Sequence, residues 1–323
     1  MPGGRAGTLA EVPGALLLMG CLPGRDAGSP CRPGGPWSGT ASLAPMSAVL
    51  ALLSSVVWGS SDFLAGLISR RFPALVVIAW SQTIGLLALT PVLLWLGPAG
   101  VGAGWLPWAA SAGVTGAVGL WAFYAALASG TMGVVAPIAA TGAAVPVVLG
   151  VLTGDQPSGW AWVGMLLAGA GVVAASGPEL GGGAKGRSVA LAGVAAVAFG
   201  LTLFAIDRGS RVSVLHTLWG MRATSVSAYA VLALVTRSLG GVTRRVVPAL
   251  ALVGVADLVA NGLFAVASST GLVSIASVLG SLYPVVTTVL AWLVLHERLA
   301  RIQYLGVVVT LVGTVVIASA GHS

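Results

Sequence analysis

Residues 248–270 read PALALVGVADLVANGLFAVASST. A helix that crosses a bilayer core of about 30 Å needs about 20 apolar residues, and this run is long enough. Its one charge, Asp257, stands near the middle, with Asn261 one turn away on the same helical face. A charge at the centre of a span costs about 2.5–3.5 kcal/mol on insertion scales, so such residues face a bundle interior or a water-filled cavity. The stretch therefore reads as a membrane helix with one face turned to a polar interior.

The whole chain shares this character. Of its 323 residues, 57% are apolar and 7% charged, and the mean hydropathy is +1.00. A soluble domain carries about 25% charged residues, and a soluble fold of this size needs more polar surface than this chain has. A cytosolic enzyme, a nucleic-acid-binding domain and a secreted disulfide scaffold are excluded on this ground. The net charge of +7 does not bring nucleic acid back, because the bases stand singly or in pairs between apolar runs and form no stripe. In such a chain they mark cytoplasmic loops. The two cysteines, Cys21 and Cys31, both precede residue 45, so no metal cluster or disulfide framework is expected in the body, and no cofactor. Lys185 is the single lysine among 15 basic residues. That bias suits a GC-rich bacterial genome; for a chain this apolar the expected location is then the bacterial inner (plasma) membrane.

Counting apolar runs outward from 248–270 gives ten spans, at about 47–69, 73–96, 105–129, 131–152, 159–176, 188–206, 214–236, 248–270, 272–295 and 302–320. Arg70, Arg71 and Pro73 separate the first two; Asp155, Pro157 and Gly159 separate the fourth and fifth. Small residues at helical spacing, such as Ser55 with Gly59 and Gly150 with Gly154, suit close helix packing in lipid. Residues 1–45 are rich in Gly and Pro, with apolar patches too short to span. They read as a disordered tail or as an extension upstream of a true start at Met46. The loops after spans 1, 5, 7 and 9 hold Arg70, Arg71, Lys185, Arg187, Arg237, Arg244, Arg245, Arg298 and Arg301, while the other loops hold Arg208 and Arg211. The first group is expected in the cytoplasm, with both termini outside.

The chain also contains itself twice. A shift of 141 residues lays Gly59 on Gly200, Phe63 on Phe204, Arg70 on Arg211, Gly113 on Gly254, Phe123 on Phe264, Ala126 on Ala267 and Gly130 on Gly271. After a one-residue slip Gly164 falls on Gly306, Gly171 on Gly313 and Asp155 on Glu297. The expected organisation is a first five-helix repeat over 46–176, a Gly-rich linker over 177–187 and a second repeat over 188–323. Five is odd, so the second repeat must cross the membrane in the opposite sense. The fold class is all-α integral membrane, with ten helices as two inverted repeats. Inverted repeats are typical of secondary transporters, whose sites lie near the midplane.

Specific motifs point the same way. Ser281-Leu282-Tyr283-Pro284, then Leu295-His296-Glu297-Arg298-Leu299 and Gln303-Tyr304-Leu305-Gly306, resemble the closing pattern of the EamA-type repeat of the drug/metabolite transporter superfamily. Gly154-Asp155-Gln156-Pro157 through Gly164 is a weaker first copy, with Pro146 in place of a proline matching Pro284. The opening Trp58-Gly59-Ser60-Ser61-Asp62-Phe63 is also similar to members of that family. The resemblance covers about 47–320. It implies two inverted repeats that move small metabolites or drugs, often outward, and it fixes no substrate.

Candidate site residues are the polar groups inside the spans. Asp257, Arg222 and Asp62 are the charges away from span ends, with Asn261 beside Asp257. One arginine cannot neutralise two aspartates. At least one is unpaired, protonated or matched by something that enters, so a coupling proton or a cationic solute group is expected at Asp62 or Asp257. An Arg222–Asp257 pair that only stitches two helices together is the bland alternative. Trp80, Gln82, Trp121, Tyr124 and Tyr283 lie at similar depth and complete a candidate pocket. Pro137, Pro146 and Pro284 are expected to break or kink spans 4 and 9. The expected partners are a small-molecule solute, the lipid bilayer and protons, in a monomer. A passive channel of the same fold remains open, and so, more remotely, does an intramembrane hydrolase using Asp62 and Asp257. HExxH and GxSxG are absent from the sequence.

Overall fold

The computed structural model describes residues 44–69, 71–129, 138–176, 186–236, 242–295 and 301–320. The proposed extension before residue 44, most of the linker, Pro137 and Glu297 lie outside them. The chain forms α1 (Ala44–Ser69), α2 (Ala74–Leu96), α3 (Leu106–Ser129), α4 (Ala144–Leu152), α5 (Gly159–Ser176), α6 (Gly186–Ser210), α7 (Val214–Thr236), α8 (Val247–Thr270), α9 (Val273–Gly280), α10 (Tyr283–Leu295) and α11 (Arg301–Ala320). Among the described residues there is no strand.

Five helical stretches are long and apolar enough to cross a membrane: Met46–Ser69, Leu75–Leu96, Ala103–Ala126, Gly186–Ser210 and Val247–Thr270. Ile138–Leu152, Gly159–Ala174, Val273–Thr287 and Tyr304–Ile317 are apolar but shorter. The expectation of ten equal spans is thus met in part. Large apolar side chains point outward, Trp95 being 89% and Leu94 76% exposed. In water that surface would be untenable, whereas in lipid it is the solvated face. The protein is an integral membrane protein.

Two expected spans are broken. The ninth divides into α9 and α10 at Ser281 and Leu282, and the fourth contains a 3-10 turn over Thr141–Ala143 before α4. Under the 141-residue shift Thr141 falls on Leu282, so the two breaks coincide. Pro284 is the second residue of α10 and Pro146 the third of α4. Proline is tolerated in the first turn, where its missing N–H has no partner to lose. The two prolines therefore start new helical segments and do not kink continuous ones.

The packing follows the repeat. α3 packs on α6 as α8 packs on α1, and α3 packs on α7 as α8 packs on α2. α4 and its 3-10 turn lie on α6 as α9 and α10 lie on α1, while α5 and α11 pair most extensively with each other. Small residues make these crossings possible. A Cβ on Gly59 would stand 2.6 Å from the Tyr283 carbonyl oxygen and 2.6 Å from Val286 Cβ. A Cβ on Gly200 would collide with the Gly142 carbonyl and with Val145, the residues at the shifted positions. Gly154 has another use from the expected packing role: its φ of +114° and open surroundings make it a turn glycine.

Candidate functional site

The interior polar residues come from four helices. α1 presents Trp58 and Asp62 one turn apart, α2 presents Gln82, α7 presents Arg222, and α8 presents Asp257 and Asn261 one turn apart. Arg222 is 1% exposed. Its Nη2 donates to Asp257 Oδ2 at 2.5 Å, and its Nη1 donates to Gln82 Oε1. Gln82 Nε2 donates to the same Asp257 oxygen at 3.3 Å. The other carboxylate oxygen accepts from Trp58 Nε1 at 3.1 Å and from Asn261 Nδ2 at 3.2 Å. Four donors from four helices thus hold one carboxylate. Such a group tolerates burial only because it is paired and hydrogen-bonded throughout.

The arginine is spent on Asp257. Asp62 has no hydrogen-bond or ion partner among the described residues and lines a cavity of about 130 Å³. Trp58, Gln82, Arg222, Asp257, Asn261 and Tyr283 line the same cavity. Both helix breaks reach it, through Ala140 and Gly142 on one side and Gly280 and Ser281 on the other. Phe123, Phe199, Leu120, Leu203 and Met221 supply its apolar lining.

Not every candidate arrives there. Trp80 is 38% exposed and Trp121 50%, and neither lines the cavity. Tyr124 packs beside Ile78, Ala117 and Tyr229 and does not line the cavity, though it lies within electrostatic reach of Asp62, Asp257 and Tyr283. Pro146 and Pro284 start α4 and α10 next to the breaks, while Pro137 lies outside the described residues. Among the described residues no three His, Cys, Asp or Glu side chains cluster as a metal site would require. Nothing in the apolar spans themselves marks Phe123, Phe199 and Leu203 as lining residues, and Trp58 stands out in the sequence only through the family resemblance. The 141-residue shift held the missing signal: it lays Trp58 on Phe199 and Asp62 on Leu203.

A second polar group was missed altogether. Asp207, in the last turn of α6, is fully buried. Arg211 donates to both its oxygens at 3.1 Å, from Nε and Nη2. Arg208 stacks on Phe204 at 4.9 Å and donates to Thr153 Oγ1. Nearby in the chain, Asp155 Oδ2 accepts from Ser274 N and from Ser274 Oγ, each at 3.0 Å. It caps the first turn of α9 from the other half of the chain.

The model of the EamA-like transporter family matches residues 45–177 and, a second time, residues 186–319. Among curated protein sequences none matches. A solved structure, titled only as the crystal structure of a protein, is similar with a TM-score of 0.72. The match covers 84% of this chain and 96% of that one at 18% identity. At that identity it speaks for the fold alone.

Proposed function

The chain belongs to the EamA-like transporter family, and from that premise we propose that it is a secondary transporter of a small metabolite or drug-like solute, working by alternating access. The observation that carries the reading is the cavity at the two helix breaks. Five positions on one wall, Trp58, Asp62, Asp257, Asn261 and Tyr283, lie 141 residues from five on the other, Phe199, Leu203, Gly116, Leu120 and Gly142. A site shared by two repeats and lined by interrupted helices is the arrangement by which repeat transporters expose one site to alternate sides.

In this reading all ten apolar segments cross the membrane, and the halves are inverted. Asp62 meets the solute or a coupling proton. The Asp257–Arg222–Gln82 cluster holds α2, α7 and α8 together around the site. Movement is outward, in exchange for protons, in a monomer of the bacterial inner membrane. An intramembrane hydrolase would need Asp257 free to exchange a proton with substrate, and four donors hold that carboxylate.

The test is counterflow in proteoliposomes loaded with a pool of amino acids, other metabolites and cationic drugs, with exchange read by mass spectrometry. Saturable exchange that is stimulated from the opposite side supports the proposal. Flux that neither saturates nor is trans-stimulated indicates a channel. If an imposed proton gradient leaves a saturable flux unchanged, coupling to protons is wrong.

A further inference from the structure

We propose that the cavity takes a small amphipathic monocation, an ammonium or quaternary ammonium group on an apolar body, with its charge at Asp62 and its body against Phe123 and Phe199. The inference rests on the transporter reading and names the chemical class of its solute.

The first argument is a charge count. The acidic and basic side chains lining the cavity are Asp62, Asp257 and Arg222. Arg222 and Asp257 neutralise each other at 2.5 Å, so Asp62 is the one carboxyl group on the wall without a cation. An entering cation would pair with it as carboxylate, whereas an entering anion would meet no free positive charge.

The second argument is the lack of a free cation. An acid or phosphate would need a cation or several N–H and O–H groups. Arg222 has both terminal nitrogens engaged, and its Nε is buried without a partner. A Cβ built on Gly85 would lie 3.9 Å from that Nε, so the atom is turned to the α2 backbone. Asn261 Nδ2 is spent on Asp257, Ser225 Oγ on the Arg222 carbonyl at 3.1 Å, and Thr202 Oγ1 on Thr115 Oγ1 and the Ala198 carbonyl, both at 2.8 Å. Ser281 and Tyr283 also line the cavity, so a carboxylate would meet hydroxyl groups there and no free cation.

The third argument is the division of the lining. Trp58 and Tyr283 border the cavity on the Asp62 wall, and indole and phenol rings attract ammonium groups. At the shifted positions stand Phe199 and Gly142, and Leu203 replaces Asp62. The two walls therefore differ in kind, and a solute with one cationic and one apolar end satisfies both.

The experiment is equilibrium binding of radiolabelled benzyltrimethylammonium to the purified full chain at fixed pH. Benzyl alcohol, phenylacetate and phenylalanine serve as competitors. The expected result is saturable binding, with the cation preferred over the alcohol by about tenfold or more and phenylacetate weakest. Asp62→Asn should lose about tenfold or more in affinity, and Asp62→Glu should retain most of it, which separates lost charge from lost folding. Phe199→Ala should weaken binding and keep the charge order. The proposal is overturned if phenylacetate or phenylalanine competes better than benzyl alcohol, or if Asp62→Asn binds like the wild type. It is also overturned if the wild type does not bind the cation. Counterflow of the metabolite pool, run in parallel, separates the two levels. Exchange of some other solute by a protein that rejects the cation overturns the solute class alone, whereas no exchange of any solute removes the transporter reading as well.

Discussion

The two walls of the cavity stand on equivalent backbone and carry opposite chemistry. Trp58, Asp62, Asp257, Asn261 and Tyr283 line the cavity together with Phe199, Leu203, Gly116, Leu120 and Gly142, their partners under the 141-residue shift. The positions that set helix distances behave differently. Gly59 and Gly200 are the same residue in the same contact between the halves, Gly59 of the first repeat against Tyr283 and Val286 of the second, and Gly200 of the second against Gly142 and Val145 of the first. Packing in lipid rests on close backbone approach, so both copies must keep the small residue. A solute needs only one charged wall, so the cavity positions were free to diverge.

The largest expected effect breaks the comparison at its charged side. Arg222→Leu leaves Asp257, whose side chain is 24% exposed, without its cation, and removing one partner of a pair costs at most about 3–5 kcal/mol, the figure for full burial. The shifted residue, Ser81, donates only to the Ile78 carbonyl at 3.1 Å, and Ser81→Ala should cost about 1 kcal/mol. Thermal unfolding in detergent compares the two. The double variant Arg222→Met with Asp257→Leu should recover most of the loss, since neither charge is then left alone.

Next come the positions where the halves agree. Gly59→Ala and Gly200→Ala each overfill a contact with no room for a Cβ, and each should destabilise by about 1–3 kcal/mol. Equal losses sharpen the view that the halves pack alike. A loss in one variant only would break it.

Asp155→Ala should cost about 1 kcal/mol, because α9 loses the side chain that caps its first turn. Unfolding, or proteolysis near Ser274, reads this contact between the halves. The smallest effects belong to Trp80→Ala and Trp121→Ala. Their outward faces predict stability within about 0.5 kcal/mol of wild type, and counterflow should be unchanged. A transport defect in either would return it to the site.

Much of the fold could be read from the sequence because lipid imposes length. The ends of α1, α2, α5 and α7 fall within a few residues of the apolar runs. Hydropathy does not show the helix breaks, since it continues across Thr141–Ala143 and Ser281–Leu282, but Pro146 and Pro284 mark the two spans that carry them. Asp62, Arg222, Asp257 and Asn261 stood out because ionised and amide side chains are rare inside spans. The aromatic candidates were grouped by depth, and depth does not give the face of the helix. Trp80 and Gln82 are two residues apart, so they point to nearly opposite sides of α2, one outward and one to the cavity. Asp207 stayed hidden because it closes a helix, where a charge is usually solvated. Only the fold shows that it is buried under Arg211.

The most direct test of the central claim is counterflow by two variants at one shifted pair, Asp62→Asn and Leu203→Asn, each checked for folding by its unfolding temperature. The account predicts that Asp62→Asn abolishes saturable exchange, while Leu203→Asn keeps the same solute and weakens it. Exchange that survives Asp62→Asn unchanged would contradict the assignment of the site to the charged wall.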